Sequence, residues 1–171
     1  MNPHPNSIQI SSESEMLDLG RNFAQEILSS PSQHAVFELI GDVGAGKTTF
    51  TRGLAEGLGV GEPVTSPSFT ISKRYAFPIP QNPYENCCKN YNTTNTQNGQ
   101  LIHYDFYRLD DPGIMRDELA EALAEPNSVI VVEWGSDVAD LLPNDKTRLE
   151  ITLCEDGSRT VKIITHEPAK D

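Results

Sequence analysis

The chain has 171 residues, enough for one domain with a sizeable core. Thirteen Lys and Arg against 25 Asp and Glu give a formal net charge of −12, which disfavours broad binding to a bare nucleic-acid duplex and fits a basic protein partner better. The opening MNPHPNSIQI lacks the basic and apolar regions of a secretory signal, and no stretch approaches the roughly 18 apolar residues of a membrane span, so a cytoplasmic location without membrane contact is expected.

In chain order, the first predicted element is a helix. Ser12 with Glu15 three residues on makes a capping-box pattern, and Met16, Gly20, Phe23 and Ile27 then share one helical face beside Leu19 and Leu28. The apolar run AVFELI (Ala35 to Ile40) reads as a buried strand. A second helix follows in KTTFTRGLAEGLG, with Phe50, Leu54 and Leu58 on one face and Gly59 as its stop. FTISKRY (Phe69 to Tyr75) alternates as a strand does. From Ala76 to Gln100 the chain turns rich in Pro, Asn, Gln and Thr, which predicts a long polar surface loop with room for a short hairpin. LIHYDFY (Leu101 to Tyr107) is a strand, and MRDELAEALAE (Met115 to Glu125) is a helix stopped by Pro126. SVIVVEW (Ser128 to Trp134) is an apolar strand that ends on a carboxylate. A short helix is expected in SDVADLL, and RLEITLC and RTVKIIT flank EDGS as a hairpin. The three cysteines, Cys87, Cys88 and Cys154, match neither a disulfide framework nor a zinc spacing and read as free thiols. Strands and helices alternate, then a hairpin closes the chain. The pattern predicts an α/β fold with a mostly parallel central sheet, helices on both faces and a C-terminal antiparallel hairpin.

One stretch carries a chemical signature. Gly41, Asp42, Val43, Gly44, Ala45, Gly46, Lys47 and Thr48 fit G-x-x-x-x-G-K-[ST] in full, between a predicted strand and a predicted helix. A phosphate chain needs several backbone N–H groups aimed inward, and glycines let the main chain come close. The helix that begins at Lys47 adds the positive end of its dipole. In this arrangement Lys47 reaches the terminal phosphates, the Thr48 hydroxyl takes a place on Mg2+, and Thr49 serves the α-phosphate side. The fold expected is therefore a three-layer one of the P-loop NTPase type.

Such a loop works with an acid at the end of a neighbouring strand, and two positions qualify, Asp105 and Glu133. One can hold Mg2+ while the other orients the attacking water, and their residue types leave open which does which. TSPSFT (Thr65 to Thr70) lies between the loop helix and the next strand, where P-loop proteins often sense the γ-phosphate. Ser66, Ser68 and Thr70 supply hydroxyls there and Pro67 stiffens the turn. Trp134, next to Glu133, reads as a core aromatic or a stacking surface, with the core reading favoured by residue type.

GDVGAGKTTFTRGLAEGLG, VTSPSFTI, HYDFYRLDDP and VVEW, in that order, resemble the bacterial ATPase family of tRNA threonylcarbamoyladenosine biosynthesis, TsaE (YjeE). The likeness runs from Ser11 to Leu153, outside residues 76–100. It implies a small Mg2+-dependent ATPase that hydrolyses ATP slowly by itself and works with two partner proteins, TsaB and TsaD. Those partners place the threonylcarbamoyl group on the adenosine next to the anticodon, and the ATPase supports their turnover rather than doing the transfer. Contact with tRNA would then be only indirect. By position the resemblance makes Gly41 to Thr49 the phosphate loop and Thr48 and Glu133 the metal ligands. Lys47, Asp105 and Glu133 become the catalytic set, Ser66, Pro67, Ser68 and Thr70 a switch-like segment, and Trp134 an aromatic beside the site. Ser12 and Glu13, with Leu142 and Pro143, would lie near the adenine. Residues 1–171 are expected to form one ATPase domain with 76–100 as an insertion longer than the family's pattern.

Rival readings exist. A small-molecule or nucleotide kinase would bring a basic lid over the phosphates, but Arg108, Arg116, Lys146 and Arg148 are scattered. A GTPase-like switch would need a guanine-reading N-K-x-D, which is absent. A regulatory ATP-binding subunit with incidental hydrolysis also fits the sequence.

Overall fold

A computed structural model describes residues 6–79, 98–107, 109 and 113–165. Seven strands form one sheet in the order β1-β7-β6-β2-β5-β4-β3. They are β1 (Ser7–Ile10), β2 (Ala35–Ile40), β3 (Ser72–Pro78), β4 (Asn98–Asp105), β5 (Ser128–Glu133), β6 (Thr147–Leu153) and β7 (Arg159–Thr165). The four central strands, β6, β2, β5 and β4, run parallel. Antiparallel pairs finish both edges: β3 on β4, and β7 with β1 beyond β6.

Helices α1 (Glu13–Ser29) and α2 (Lys47–Leu58) cover one face, and α3 (Gly113–Ala124) the other. β5 has both faces covered, which is why its sequence is a continuous β-branched run rather than an alternating one. Its Val129 and Val131 enter the core under α1 and α2, while Ile130 and Val132 enter the core under α3. The first core is anchored by Phe23, Phe37 and Phe50, whose ring centroids lie 5.4 to 5.8 Å apart. Two glycines let α1 and α2 touch backbone to backbone. A Cβ on Gly20 would sit 2.4 Å from the Phe50 carbonyl oxygen, and one on Gly53 would sit 2.2 Å from that of Leu17.

The helix signals read from the sequence act as expected at both ends. Ser12 Oγ accepts the Glu15 N–H at 3.2 Å, and Glu15 Oε2 accepts the Ser11 N–H at 2.7 Å. α2 stops at Gly59, left-handed at φ +83°. The C-terminal hairpin forms between β6 and β7.

The structure departs from these expectations at five places. Strand β1 was not predicted, although Ile8 and Ile10 alternate within it. β3 begins at Ser72, not Phe69: the Pro67 carbonyl captures the N–H groups of both Thr70 and Ile71, so the chain turns there and Phe69 is left 86% exposed. β4 ends at Asp105, two residues short of Tyr107; the Phe106 N–H donates to Glu133 O and closes the β4–β5 ladder there. The polar stretch 76–100 is not loop at its ends, where Ala76, Phe77 and Pro78 pair with Gln100, Gly99 and Asn98. Phe77 is the cause, since it buries itself beside Gly99 and pulls the ladder outward. The rest of that stretch, 80–97, with Cys87 and Cys88, lies outside the described residues. The short helix expected in SDVADLL is a single 3-10 turn, Gly135–Val138.

Candidate functional site

The phosphate loop leaves β2 at Gly41 and enters α2 at Lys47, with Gly46 as N-cap at φ +115°, a conformation that favours glycine. Phe50, on the first turn of α2, is fully buried and fixes the helix start against the sheet. A cleft of about 300 Å³ opens above it. From the loop, Val43, Gly44, Gly46, Lys47, Thr48 and Thr49 line this cleft. Gly41 instead packs against β6, Asp42 faces solvent, and Ala45 is buried beneath the loop.

Lys47 is 5% exposed. Its Nζ donates to the Gly41 carbonyl at 2.7 Å and the Asp42 carbonyl at 3.0 Å, and lies 4.5 Å from the centre of the Trp134 ring. Burial holds the ammonium below the ordinary lysine pKa, while the charges of Glu133, Asp105 and Asp42 pull it back up. The result is a desolvated cation inside a cup of backbone dipoles.

Both strand-end acids face this cation. β4 and β5 are parallel neighbours in a register that sets Asp105 directly beside Glu133, and β2 continues the row with Leu39. Each acid is nearly buried, at 4% and 3% exposure. Their surroundings differ. Glu133 Oε2 lies 3.9 Å from Lys47 Nζ, and its Oε1 lies 2.9 Å from His103 Nε2. Asp105 turns to the switch-like segment: its Oδ2 accepts the hydroxyls of Ser66 at 2.9 Å and Ser68 at 2.6 Å, and its Oδ1 accepts the Tyr107 N–H at 3.1 Å. Pro67 is buried behind those serines, and Thr70 is exposed and outside the cleft lining.

Trp134 follows β5 in the left-handed region at φ +57°, which turns its ring back over Lys47 and against Tyr107, with ring centroids 4.9 Å apart. A second, smaller hollow of about 160 Å³ adjoins the cleft through Gly44, Gly46 and Thr49. Ser12, Glu13, Met16 and Arg159 complete it, and Arg52 ties Glu13 to Thr49. Leu142 is not brought there. It packs in the core under α3, on the opposite face of the sheet. The sequence reading passed over His103, Arg52 and Arg159. His103 had a visible signal, since it precedes Asp105 by two residues and so shares its face of the strand.

Among the described residues no three His, Cys, Asp or Glu side chains gather as a metal cage. The cleft is lined by the hydroxyl residues Thr48, Thr49, Ser66, Ser68 and Tyr107 and by the two acids. Oxygen donors beside a phosphate loop suit Mg2+, which keeps waters and substrate phosphates in its coordination.

The family model "Threonylcarbamoyl adenosine biosynthesis protein TsaE" matches residues 10–161. A tRNA threonylcarbamoyladenosine biosynthesis protein TsaE of Streptomyces coelicolor is 36% identical over 80% of this chain and 78% of its own length. That of Haemophilus influenzae is 28% identical over 91% of this chain and 86% of its own. A crystal structure of Bacillus subtilis YdiB superposes with a TM-score of 0.63 at 26% identity, covering 93% of this chain and 84% of that one. The phosphate loop, the paired strand-end acids and these likenesses together place the chain in the TsaE family, whose members serve tRNA threonylcarbamoyladenosine biosynthesis.

Proposed function

We propose that this chain is an Mg2+-dependent ATPase that supports turnover of the threonylcarbamoyl transferase, together with TsaB and TsaD proteins in the cytoplasm, without performing the transfer. The observation that carries the reading is the direct pairing of Asp105 with Glu133 in front of the Lys47 loop. The Gly44, Gly46 and Lys47 backbone cradles the phosphates. Lys47, now bonded to two loop carbonyls, exchanges these for phosphate oxygens, which are stronger acceptors for an ammonium. Thr48 and Glu133 hold Mg2+, which when bound neutralises charge developing on the transferred phosphoryl group. Asp105, through Ser66 and Ser68, links the occupancy of the site to the switch-like segment. Ser12 and Glu13 take the nucleoside end in the adjoining hollow. The net charge of −12 supports contact with tRNA through the partner proteins rather than directly.

The test is reconstitution of tRNA threonylcarbamoylation with TsaB and TsaD over repeated turnovers. The protein should raise the multiple-turnover yield, Lys47→Ala should abolish the gain, and Asp105→Asn should cut phosphate release by about 10- to 100-fold. A yield indifferent to both the protein and Lys47→Ala would refute the reading.

A further inference from the structure

β4 carries one more polar side chain on the face that bears Asp105. His103 is fully buried, and its Nε2 meets Glu133 Oε1 at 2.9 Å. Its other ring nitrogen, Nδ1, is also buried and meets no hydrogen-bond partner among the described residues. This asymmetry selects a tautomer. A proton on Nδ1 would bury a donor without an acceptor and turn the bare Nε2 lone pair towards a carboxylate oxygen. With the proton on Nε2, a charge-assisted bond forms and only an acceptor is left bare. The ring's neighbours in the ladder, Lys73 and Val131, offer no other reason for an imidazole at this place.

We infer that His103 is a positioning residue for Glu133. Donating from Nε2, it fixes the rotation of the carboxylate and reserves Oε1, so that Oε2 alone serves the cleft. It also holds Glu133 off Lys47. The two charges stand 3.9 Å apart in a buried site, and the lysine's hydrogen bonds go to Gly41 and Asp42 instead. Without the imidazole bond, Glu133 is free to rotate onto the ammonium and close an ion pair, which would compete with both phosphate and metal for the same two groups. The inference rests on Glu133 being the Mg2+ ligand.

The experiment follows ADP binding through the fluorescence of Trp134, the chain's one tryptophan, with EDTA and across a MgCl2 titration. His103→Gln carries an amide that reaches Glu133 much as Nε2 does, whereas the amide of His103→Asn falls at the Nδ1 position. His103→Asn should keep its metal-free ADP affinity and raise the half-saturating Mg2+ concentration about 10-fold or more, and His103→Gln should stay within about threefold of the parent. Equal losses in both variants, or Mg2+ titrations like the parent's in both while Glu133→Gln is impaired, would overturn the inference alone. A Glu133→Gln titration identical to the parent's would instead refute the metal-ligand reading and take the inference with it. Should His103→Asn fail to fold, nitrogen NMR of the labelled histidines decides: a protonated Nε2 and bare Nδ1 on His103 support the assignment, and the opposite tautomer refutes it.

Discussion

Lys47 shows how one buried charge ties stability to function. Burial disfavours its ammonium, so the folded pKa lies below 10.5, the ordinary value that applies when the chain is unfolded. Between those two pKa values the unfolded chain binds more protons than the folded one, and stability rises with pH there. The cost of the buried charge is thus fully present below the folded pKa and is relieved as pH climbs to 10.5. Lys47→Met removes the cost at every pH. Thermal melts of the ligand-free protein should show the variant more stable at neutral pH, with the gap closing as pH approaches the ordinary lysine value. A gap that stayed constant with pH would refute this account. A site that is strained until a polyanion arrives fits a group kept for binding rather than for folding.

At the scale of elements, the crossing of α1 and α2 decides how the phosphate loop is held, because α2 is the helix that the loop enters. Gly53→Ala should gain helix propensity of roughly 1 kcal/mol. Against that, its Cβ would land 2.2 Å from the Leu17 carbonyl, and backbone cannot swing aside as a side-chain tip can. Overpacking of this kind costs about 1–3 kcal/mol, and a chain of this size loses roughly 2–4 °C of Tm per kcal/mol. Gly53→Ala should therefore melt several degrees lower, while Gly61→Ala, with open space around its Cβ, should not. Much at this scale was legible in the sequence. α1, β2, α2 and β5 are announced by caps and apolar runs within a few residues of each other. The start of β3 was not, because it is set by a carbonyl at Pro67 rather than by the alternation of FTISKRY. Asp105 and Glu133 could be placed at strand ends, but their contact depends on the register between β4 and β5, and nothing local encodes that. The partner of His103 was hidden for the same reason.

Across the whole molecule, the sheet order separates what is near in the chain from what is near in space. β2 lies between β5 and β6, and β1 pairs with β7 alone. Strand β1 was missed for that reason: four residues have little to declare until their partner is known. The long reach of these pairings predicts slow closure of the sheet, since loop entropy is spent before the ladders form. It also sets an order of events at the ribosome. The phosphate loop is made early, yet β5, which carries Glu133, and β6, which flanks the strand leading into the loop, emerge far later. A nascent chain ending at residue 140 should be protease-sensitive and should not retain ADP, whereas a chain that includes β6 and β7 should resist protease and retain it. Because β1 is clasped by β7, Ser7 against Lys162, the sheet edge beyond β6 can close only after residues 159–165 have been made.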